Sequence, residues 1–390
     1  MGVRRLTHRG CARLAGLALL LSPAVTSLSA QEQSTKNDTP AQAQRAAINL
    51  APDQWSRLDR AVDAGLRFLA TQQLPDGSFS SDRVAQPAVT SFCVMAFLSR
   101  GHMPDHGPYG RQISRAINYV LSTQQPSGLL YAETAGTENW KMRGSYNHAI
   151  AGVMMGEVYG MAGAGQQETI RVAVEKALEF TRGEQVKRKR WTDDRGGWRY
   201  LLPGSWTDAD LSLTAWHLMF YRSAKNAEFE VPEDFMKDAV AYVERCYDPS
   251  RGSFSYGLRG YGRGYFSRGM AGAGIVSLAL AGKHDTEMAK SAARYVLDHP
   301  FNRFNRGGLT PEDRFYYSAY YCSQAMFQLG GKHWDEFYPV LLNTMAENQS
   351  PNGSWDLEAN QDGVFGHTYS TSLAILSLTP PYQLLPIYQR

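Results

Sequence analysis

Four tyrosines, Tyr316, Tyr317, Tyr320 and Tyr321, open one apolar stretch of the chain. Spaced three and four apart on a helix, they must face more than one side, so some are expected to line a cavity. The negative faces of their rings suit a polyene or its cation. They suit a sugar ring equally, and as core residues with hydrogen-bonded phenols they need no guest. The segment Tyr256-Gly257-Leu258-Arg259-Gly260-Tyr261-Gly262-Arg263-Gly264-Tyr265-Phe266-Ser267-Arg268 interleaves glycine, arginine and aromatic residues. That composition fits a rim that stacks on a ligand or binds an anion, with Arg268 as a candidate contact. It also fits a long connection held by arginine–tyrosine stacking.

Thr207-Asp208-Ala209-Asp210 sets two carboxyl groups at the start of another apolar run. Taken alone it is a capping box, in which Thr207 and Asp210 satisfy free backbone N–H groups and the carboxylates complement the helix dipole. His148 and His217 fall in or beside apolar helices, the usual setting of hydrogen-bonded core histidines. The sequence contains no His-Glu-x-x-His, no Gly-x-Ser-x-Gly, no phosphate-binding loop ending in Lys-Ser or Lys-Thr, and no Gly-x-Gly-x-x-Gly. Metalloprotease, common esterase and nucleotide chemistry are therefore not expected.

These residues sit on a recurring unit. An amphipathic helix leads to a turn with glycine and, two positions on, an aromatic residue or leucine; a more apolar helix comes next. The turns are Gly77-Ser78-Phe79, Gly128-Leu129-Leu130, Gly196-Gly197-Trp198, Gly252-Ser253-Phe254, Gly307-Gly308-Leu309 and Gly353-Ser354-Trp355. The first helices place apolar residues three and four apart with charges between, as half-exposed helices do. The second helices, Ala88 to Leu98, Ala149 to Ala162, Leu211 to Tyr221, Gly269 to Ala281, Tyr316 to Leu329 and Thr368 to Leu378, are apolar or small nearly all round, which predicts burial. An open solenoid of such units would need polar caps at its ends. The last unit is as apolar as the others, so the expectation is all-α: six hairpins closed into an (α/α)6 toroid with inner and outer helix rings.

Residues 1–30 have the three-part layout of a signal peptide: Arg4, Arg5, Arg9 and Arg13, the apolar run Leu14 to Leu21, and small residues up to Ala30. The run is too short to cross a bilayer. Residues 31–51, rich in Gln, Ala, Thr and Asn, read as a disordered linker, and the toroid is assigned to 52–390. The leader holds four of the 40 basic residues and none of the 37 acidic ones. The rest of the chain is nearly balanced in charge, which speaks against nucleic acid as a partner; the basic cluster Lys187 to Arg190 reads as a solvated loop or helix end. Cys93, Cys246 and Cys322 are too few and too scattered for a disulfide framework and read as buried thiols.

Gln72-Gln73-Leu74-Pro75-Asp76-Gly77-Ser78-Phe79 and Gln349-Ser350-Pro351-Asn352-Gly353-Ser354-Trp355 resemble the Gln…Gly-x-Trp repeat of the terpenoid cyclase and protein prenyltransferase superfamily. The resemblance spans nearly all of the chain after the leader, and its nearest counterparts are exported bacterial prenyltransferase/squalene-oxidase-repeat proteins of unassigned activity. It implies the (α/α)6 toroid. Zinc-dependent prenyl transfer is not implied: Arg314 and Tyr316 stand where that family has Asp and Cys ligands, and only His367, in His367-Thr368-Tyr369-Ser370, matches. Gly308 and Pro311 replace the basic residues that would grip a diphosphate. The squalene-hopene type of cyclase starts an inner helix with Asp-x-Asp-Asp-Thr. Asp208-Ala209-Asp210-Leu211-Ser212 resembles it, with Asp210 in the acid position and Leu211 in place of the adjoining carboxyl.

The resemblance thus implies a central cavity for an apolar, isoprenoid-type molecule, and proton-initiated cyclisation or isomerisation with Asp210 as acid assisted by Asp208. Candidate ligand contacts are Trp206, Tyr316, Tyr317, Tyr320, His367 and Arg268; no cofactor and no metal are expected. Two alternatives stand beside this: a non-catalytic cell-envelope module that binds a protein or wall polymer, and a carbohydrate-active (α/α)6 enzyme. The expected location is the periplasm or the cell exterior, with no transmembrane segment once the leader is removed.

Overall fold

The computed structural model describes residues 48, 50–133, 136–202, 207–305 and 313–389. The leader and most of the linker, Trp206, and the Gly307-Gly308-Leu309 turn with Pro311 lie outside the described residues. Six helical hairpins succeed one another: α1 (Pro52–Thr71) with α2 (Ala88–Leu98), α3 (Gly110–Ser122) with α4 (Glu138–Val158), and α5 (Ala164–Val186) with α6 (Leu211–Asn226). The others are α7 (Glu233–Arg245) with α9 (Arg268–Leu280), α10 (Glu287–Leu297) with α11 (Phe315–Leu329), and α12 (Gly331–Glu347) with α13 (Gly366–Leu378). Between α7 and α9 lie a two-residue antiparallel ladder, β1 (Tyr247–Asp248) with β2 (Ser253–Phe254), and the single turn α8 (Gly260–Gly264). Among the described residues no helix is long and apolar enough to cross a membrane.

The second helix of each hairpin forms the inner ring. Helix α2 packs on α4, α4 on α6, α6 on α9, α9 on α11, α11 on α13, and α13 returns to α2. That return, with α1 packed against α12 and α13, makes the molecule a closed (α/α)6 toroid and not an open solenoid. Burial obeys the sequence pattern. Helix α3 buries Ile113, Ala116, Ile117 and Val120, one stripe at helical spacing, whereas all eleven residues of α2 are buried. Each large aliphatic side chain so covered contributes about 1.5–3 kcal/mol relative to exposure. Small residues set how near the inner helices come: a Cβ on Gly272 of α9 would stand 2.7 Å from the Cys322 nitrogen of α11.

The repeat motif is the joint between hairpins. The Gln73 amide donates to the carbonyl of its own turn at Gly77 (3.0 Å) and to that of Gln112 in α3 (2.8 Å). Gln124 does the same to Gly128 and to Ala173 of α5 (3.2 and 2.8 Å). Gln185, not singled out by the sequence, bonds Gly196 and Phe235 of α7 (3.0 and 2.9 Å). Gln349 bonds Gly353 and, closing the ring, Ala61 of α1 (2.8 and 2.9 Å). Gly353 has φ +91°, and a Cβ there would lie 2.3 Å from the Ala64 carbonyl oxygen of α1; only glycine lets the last turn dock on the first helix. Two residues on, the backbone N–H turns inward to the ring: Phe79 to Thr90 Oγ1 (3.0 Å), Trp198 to Thr214 Oγ1 (3.2 Å) and Trp355 to Thr371 Oγ1 (3.2 Å). Leu130 donates to His148 Nδ1 (3.1 Å).

The C-terminal ends of the inner helices are covered by the tail, whose 3-10 turns Pro380–Tyr382 and Pro386–Tyr388 pack against α11, α13 and α6. The Ile387 N–H donates to Glu157 (3.1 Å), whose other oxygen accepts from Ser223 (2.6 Å). The Gln328 amide donates to the Tyr388 carbonyl (2.8 Å), and the Tyr388 hydroxyl bonds that of Tyr320. Burial pushes the Glu157 carboxyl up to about 7. Cys93, Cys246 and Cys322 are buried free thiols.

The fourth element departs from expectation. Helix α4 begins at Glu138, not near Ala149, and ends at Val158. Thr137 caps it by accepting from the Trp140 N–H (3.1 Å), and its first turns carry Lys141, Arg143 and Asn147, so no apolar periodicity announced them.

Candidate functional site

Every inner helix succeeds an outer one along the chain, so all six run the same way and their N-termini gather at one end. There they surround a chamber of about 370 Å³, within the range of small-molecule sites. Its floor is apolar and aromatic: Val89, Phe92, Ile150, Trp216, Met270 and Tyr369. Trp216 stacks on Tyr320 (5.5 Å, 8° between planes), whose hydroxyl bonds that of Tyr388 beneath it. The mouth is a collar of tyrosines and arginines, with Tyr261 of α8 61 % exposed at its rim.

Most polar groups of the wall are committed to one another. The Tyr146 hydroxyl donates to Ser212 Oγ (2.9 Å), which bonds the Tyr317 hydroxyl (2.7 Å). Asn147 accepts from the Ala88 N–H at the start of α2 (2.9 Å) and donates to the Val84 carbonyl (3.0 Å). Ser267 caps α9 by accepting from the Met270 N–H (3.2 Å), and Ser318 donates to Asp313 (2.6 Å). Arg199 donates to Asp210 and to the Tyr256 hydroxyl (2.6 Å), with its guanidinium 4.0 Å from the Tyr200 ring centre. Arg314 donates to Asp362. Burial holds the Tyr146 and Tyr256 phenols well above their ordinary range, so both are neutral hydroxyls at physiological pH.

Asp210 is fully buried and caps α6, its Oδ1 accepting from the Leu213 N–H (2.8 Å). Its other oxygen is covered by Arg199, so the carboxylate lies behind the wall instead of on it. Burial pushes this carboxyl up, against the pull of Arg199. Asp208 points away from the chamber. It accepts from the Arg190 backbone (2.6 Å) and guanidinium (3.3 Å), and its own N–H donates to Asp194 (2.8 Å). The carboxylate that does line the wall, among the described residues, is Asp362. Behind it Glu358 accepts from the Phe315 and Tyr316 N–H groups at the start of α11 (2.8 and 3.1 Å), and burial pushes it up to about 7.

Of the expected ligand contacts, Tyr317 is on the wall and Tyr320 is beneath the floor. Tyr316 is turned outward, its hydroxyl donating to the Asp356 carbonyl (2.6 Å). Arg268 is buried in an ion pair with Asp313 (2.7 Å) and lies 3.8 Å from the Phe301 ring centre; it locks the start of α9 and touches no chamber surface. The loop before it does contribute, through Tyr256, Tyr261 and Tyr265. His367 bonds the Trp355 carbonyl through Nδ1 (2.9 Å) and lies exposed outside the chamber. His148 bridges Leu130 and Thr181 (2.8 Å to the latter), and His217 stacks on Trp198 (4.7 Å) and bonds Ser145 (3.0 Å). Burial holds His148 down to about 3 and His217 well below its usual value, so both are neutral core residues.

The sequence did not point to Arg143, Arg199, Tyr146 or Asp362, and it marked Arg314 only as a departure from a zinc motif. Among the described residues, no three His, Cys, Asp or Glu side chains gather as a metal site. The wall can hold an elongated guest, its apolar body on Phe92 and Trp216 and a polar end at the arginine collar.

No protein-family model matches the sequence, and no curated protein matches it. Solved structures do match. A variant of the type II terpene cyclase MstE from Scytonema, in complex with its substrate geranylgeranyl dihydroxybenzoate, is 14 % identical with TM-score 0.55, over 86 % of this chain and 100 % of that one. Cellobiose 2-epimerase from Spirochaeta thermophila is 15 % identical with TM-score 0.57, over 86 % and 99 %. A protein from Actinoplanes is 15 % identical with TM-score 0.56, over 83 % and 99 %. At such identities the likeness establishes the architecture: this chain has the terpenoid-cyclase-like (α/α)6 toroid, a fold that a sugar epimerase also has.

Proposed function

We propose that the chamber binds an apolar, isoprenoid-type molecule with a polar end. The observation that carries this reading is the division of the wall into an apolar aromatic floor and a collar of phenols and guanidinium groups. Such a surface desolvates a hydrocarbon body and leaves one end to be read by hydrogen bonds. The substrate in the MstE structure has that build, which supports the reading by analogy of fold. Protonation of an alkene by Asp210 is not favoured. Asp210 is fully buried, with one oxygen held by the Leu213 N–H and the other by Arg199, and it has no open path to the guest. Binding, not proton-initiated cyclisation, is the role this geometry supports.

The carbohydrate alternative draws on the glycosidase and epimerase neighbours and on the tyrosine-rich collar. Glycoside hydrolysis needs two carboxyl groups flanking the bond, about 5–9.5 Å apart. Asp362 is the wall's carboxylate among the described residues, and Arg314 occupies it. Export by residues 1–30 belongs to the same proposal; cell fractionation showing the uncleaved chain in the cytoplasm would count against it.

The test is equilibrium binding of farnesol and of cellobiose to the purified chain, with solvent extracts of that chain analysed by mass spectrometry. Retention of a lipid, or saturable binding of farnesol in preference to cellobiose, is expected. Empty extracts together with binding of cellobiose alone would overturn the proposal in favour of a saccharide.

A further inference from the structure

Resting on that reading of the chamber, we infer that the guest's polar end is an anion, a carboxylate or a phosphate, and that Arg143 is the residue that recognises it. Three guanidinium groups line the wall: Arg143, Arg199 and Arg314. Arg199 is held by Asp210 and Tyr256, and Arg314 by Asp362. Arg143 has no carboxylate partner among the described residues; its guanidinium lies 5.5 Å from the Phe365 ring centre. It reaches the wall because α4 begins at Glu138 and runs out past the level at which α2 and α6 start.

An apolar guest entering the chamber strips water from this side chain. A guanidinium has five N–H donors and no acceptor, and desolvating a charged group without a partner is costly. Several neighbouring polar groups are already engaged. Asn147 is spent on the start of α2, Tyr146 and Ser212 on each other, and Asp362 on Arg314. The guest itself must therefore bring acceptors, and a planar or tetrahedral anion matches the guanidinium fork. The field at this end agrees, because the N-termini of six parallel helices surround the chamber and each carries a partial positive charge. With the two paired carboxylates counted against the three guanidinium groups, the collar keeps one positive charge among the described residues for the guest to neutralise.

The experiment compares three probes on the purified chain: farnesol, farnesoic acid and farnesyl monophosphate. Binding is measured in wild type, Arg143→Gln and Arg143→Lys. In wild type at least one anion is expected to bind about tenfold or more tighter than the alcohol, and whichever anion is preferred identifies the head group as carboxylate or phosphate. Arg143→Gln should abolish the preference, the anions losing affinity while farnesol binds at least as tightly as to wild type because no unpaired charge is then desolvated; Arg143→Lys should restore part of the preference. Arg143 is in no ion pair among the described residues, so the melting temperature of the variants should stay near that of wild type. If farnesol binds as tightly as both anions, or if the preference survives in Arg143→Gln, the anion assignment is wrong while the chamber reading stands. If none of the three binds, both fall.

Discussion

The two ends of the central hole are built from the same six helices and differ in what their chemistry is left to do. At the C-terminal end the groups are closed on one another: Glu157 with Ser223 and Ile387, Gln328 with Tyr388, Tyr388 with Tyr320. At the N-terminal end the chamber opens, and one guanidinium of its collar has no counter-ion among the described residues. Their turns differ too. A Cβ on Gly353, at the mouth end, collides with the backbone of α1, whereas one on Gly160, at the tail end with φ +87°, would meet nothing within 4 Å. The turn at the mouth docks tightly on its neighbouring helix beside the chamber, while the turn at the tail end lies in open space and the tail's polar groups largely pair with one another. A binding site needs the first arrangement.

The contrast can be broken by substitution. The largest expected effect is at Asp210: Asp210→Ala leaves Arg199 as a buried cation without its partner and should cost about 3–5 kcal/mol in urea unfolding. A loss below about 1 kcal/mol would show that the pair does not anchor the collar. Gly353→Ala should cost about 3 kcal/mol or more, through left-handed strain plus a backbone collision. Gly160→Ala, with the strain alone, should cost about 1–2 kcal/mol, and equal losses would remove the distinction between the two sets of turns.

The tail end is tested by pH. Glu157 has a folded pKa of about 7, above its unfolded value. Its contribution is therefore complete below about pH 4.5 and disappears as pH rises through 7, a swing of about 3 kcal/mol at most. Glu157→Gln should match wild type at pH 5 and be the more stable protein at pH 8.5. A variant less stable than wild type at pH 8.5 would mean the ionised carboxylate is needed to hold the tail. The smallest effect is at Asp208, whose partly exposed links to Arg190 should make Asp208→Ala cost about 0.5–1 kcal/mol with no change in ligand binding.

The joints were legible because the glycine turn recurs along the chain, with a glutamine four residues before Gly77 and Gly353; Gln185, eleven residues before Gly196, fell outside that local pattern. Closure was legible from the apolar last hairpin. The site was not, for a physical reason. Its wall is assembled from residues that share no local pattern: Arg143 on the polar overhang of α4, Arg199 just after a turn, Asp362 on a 3-10 turn before α13. Asp208 and Asp210 stood out in sequence because carboxyl groups at a helix start suit both a cap and an acid. The fold uses Asp210 as a cap and counter-ion, and Asp208 to hold the 187–190 segment. Arg268 looked like a rim residue because it ends a glycine- and tyrosine-rich loop, and its partner Asp313 is too distant in sequence to be foreseen.

The central claim is that the mouth-end chamber takes up an apolar body. It is tested most directly by calorimetric titration of farnesol into the purified chain at several temperatures, in wild type and in Val89→Trp, which fills the floor. One site per chain with a negative heat-capacity change, as burial of apolar surface requires, is expected, with no binding in Val89→Trp. Binding without a heat-capacity change, or unchanged binding in a folded Val89→Trp protein, would contradict it.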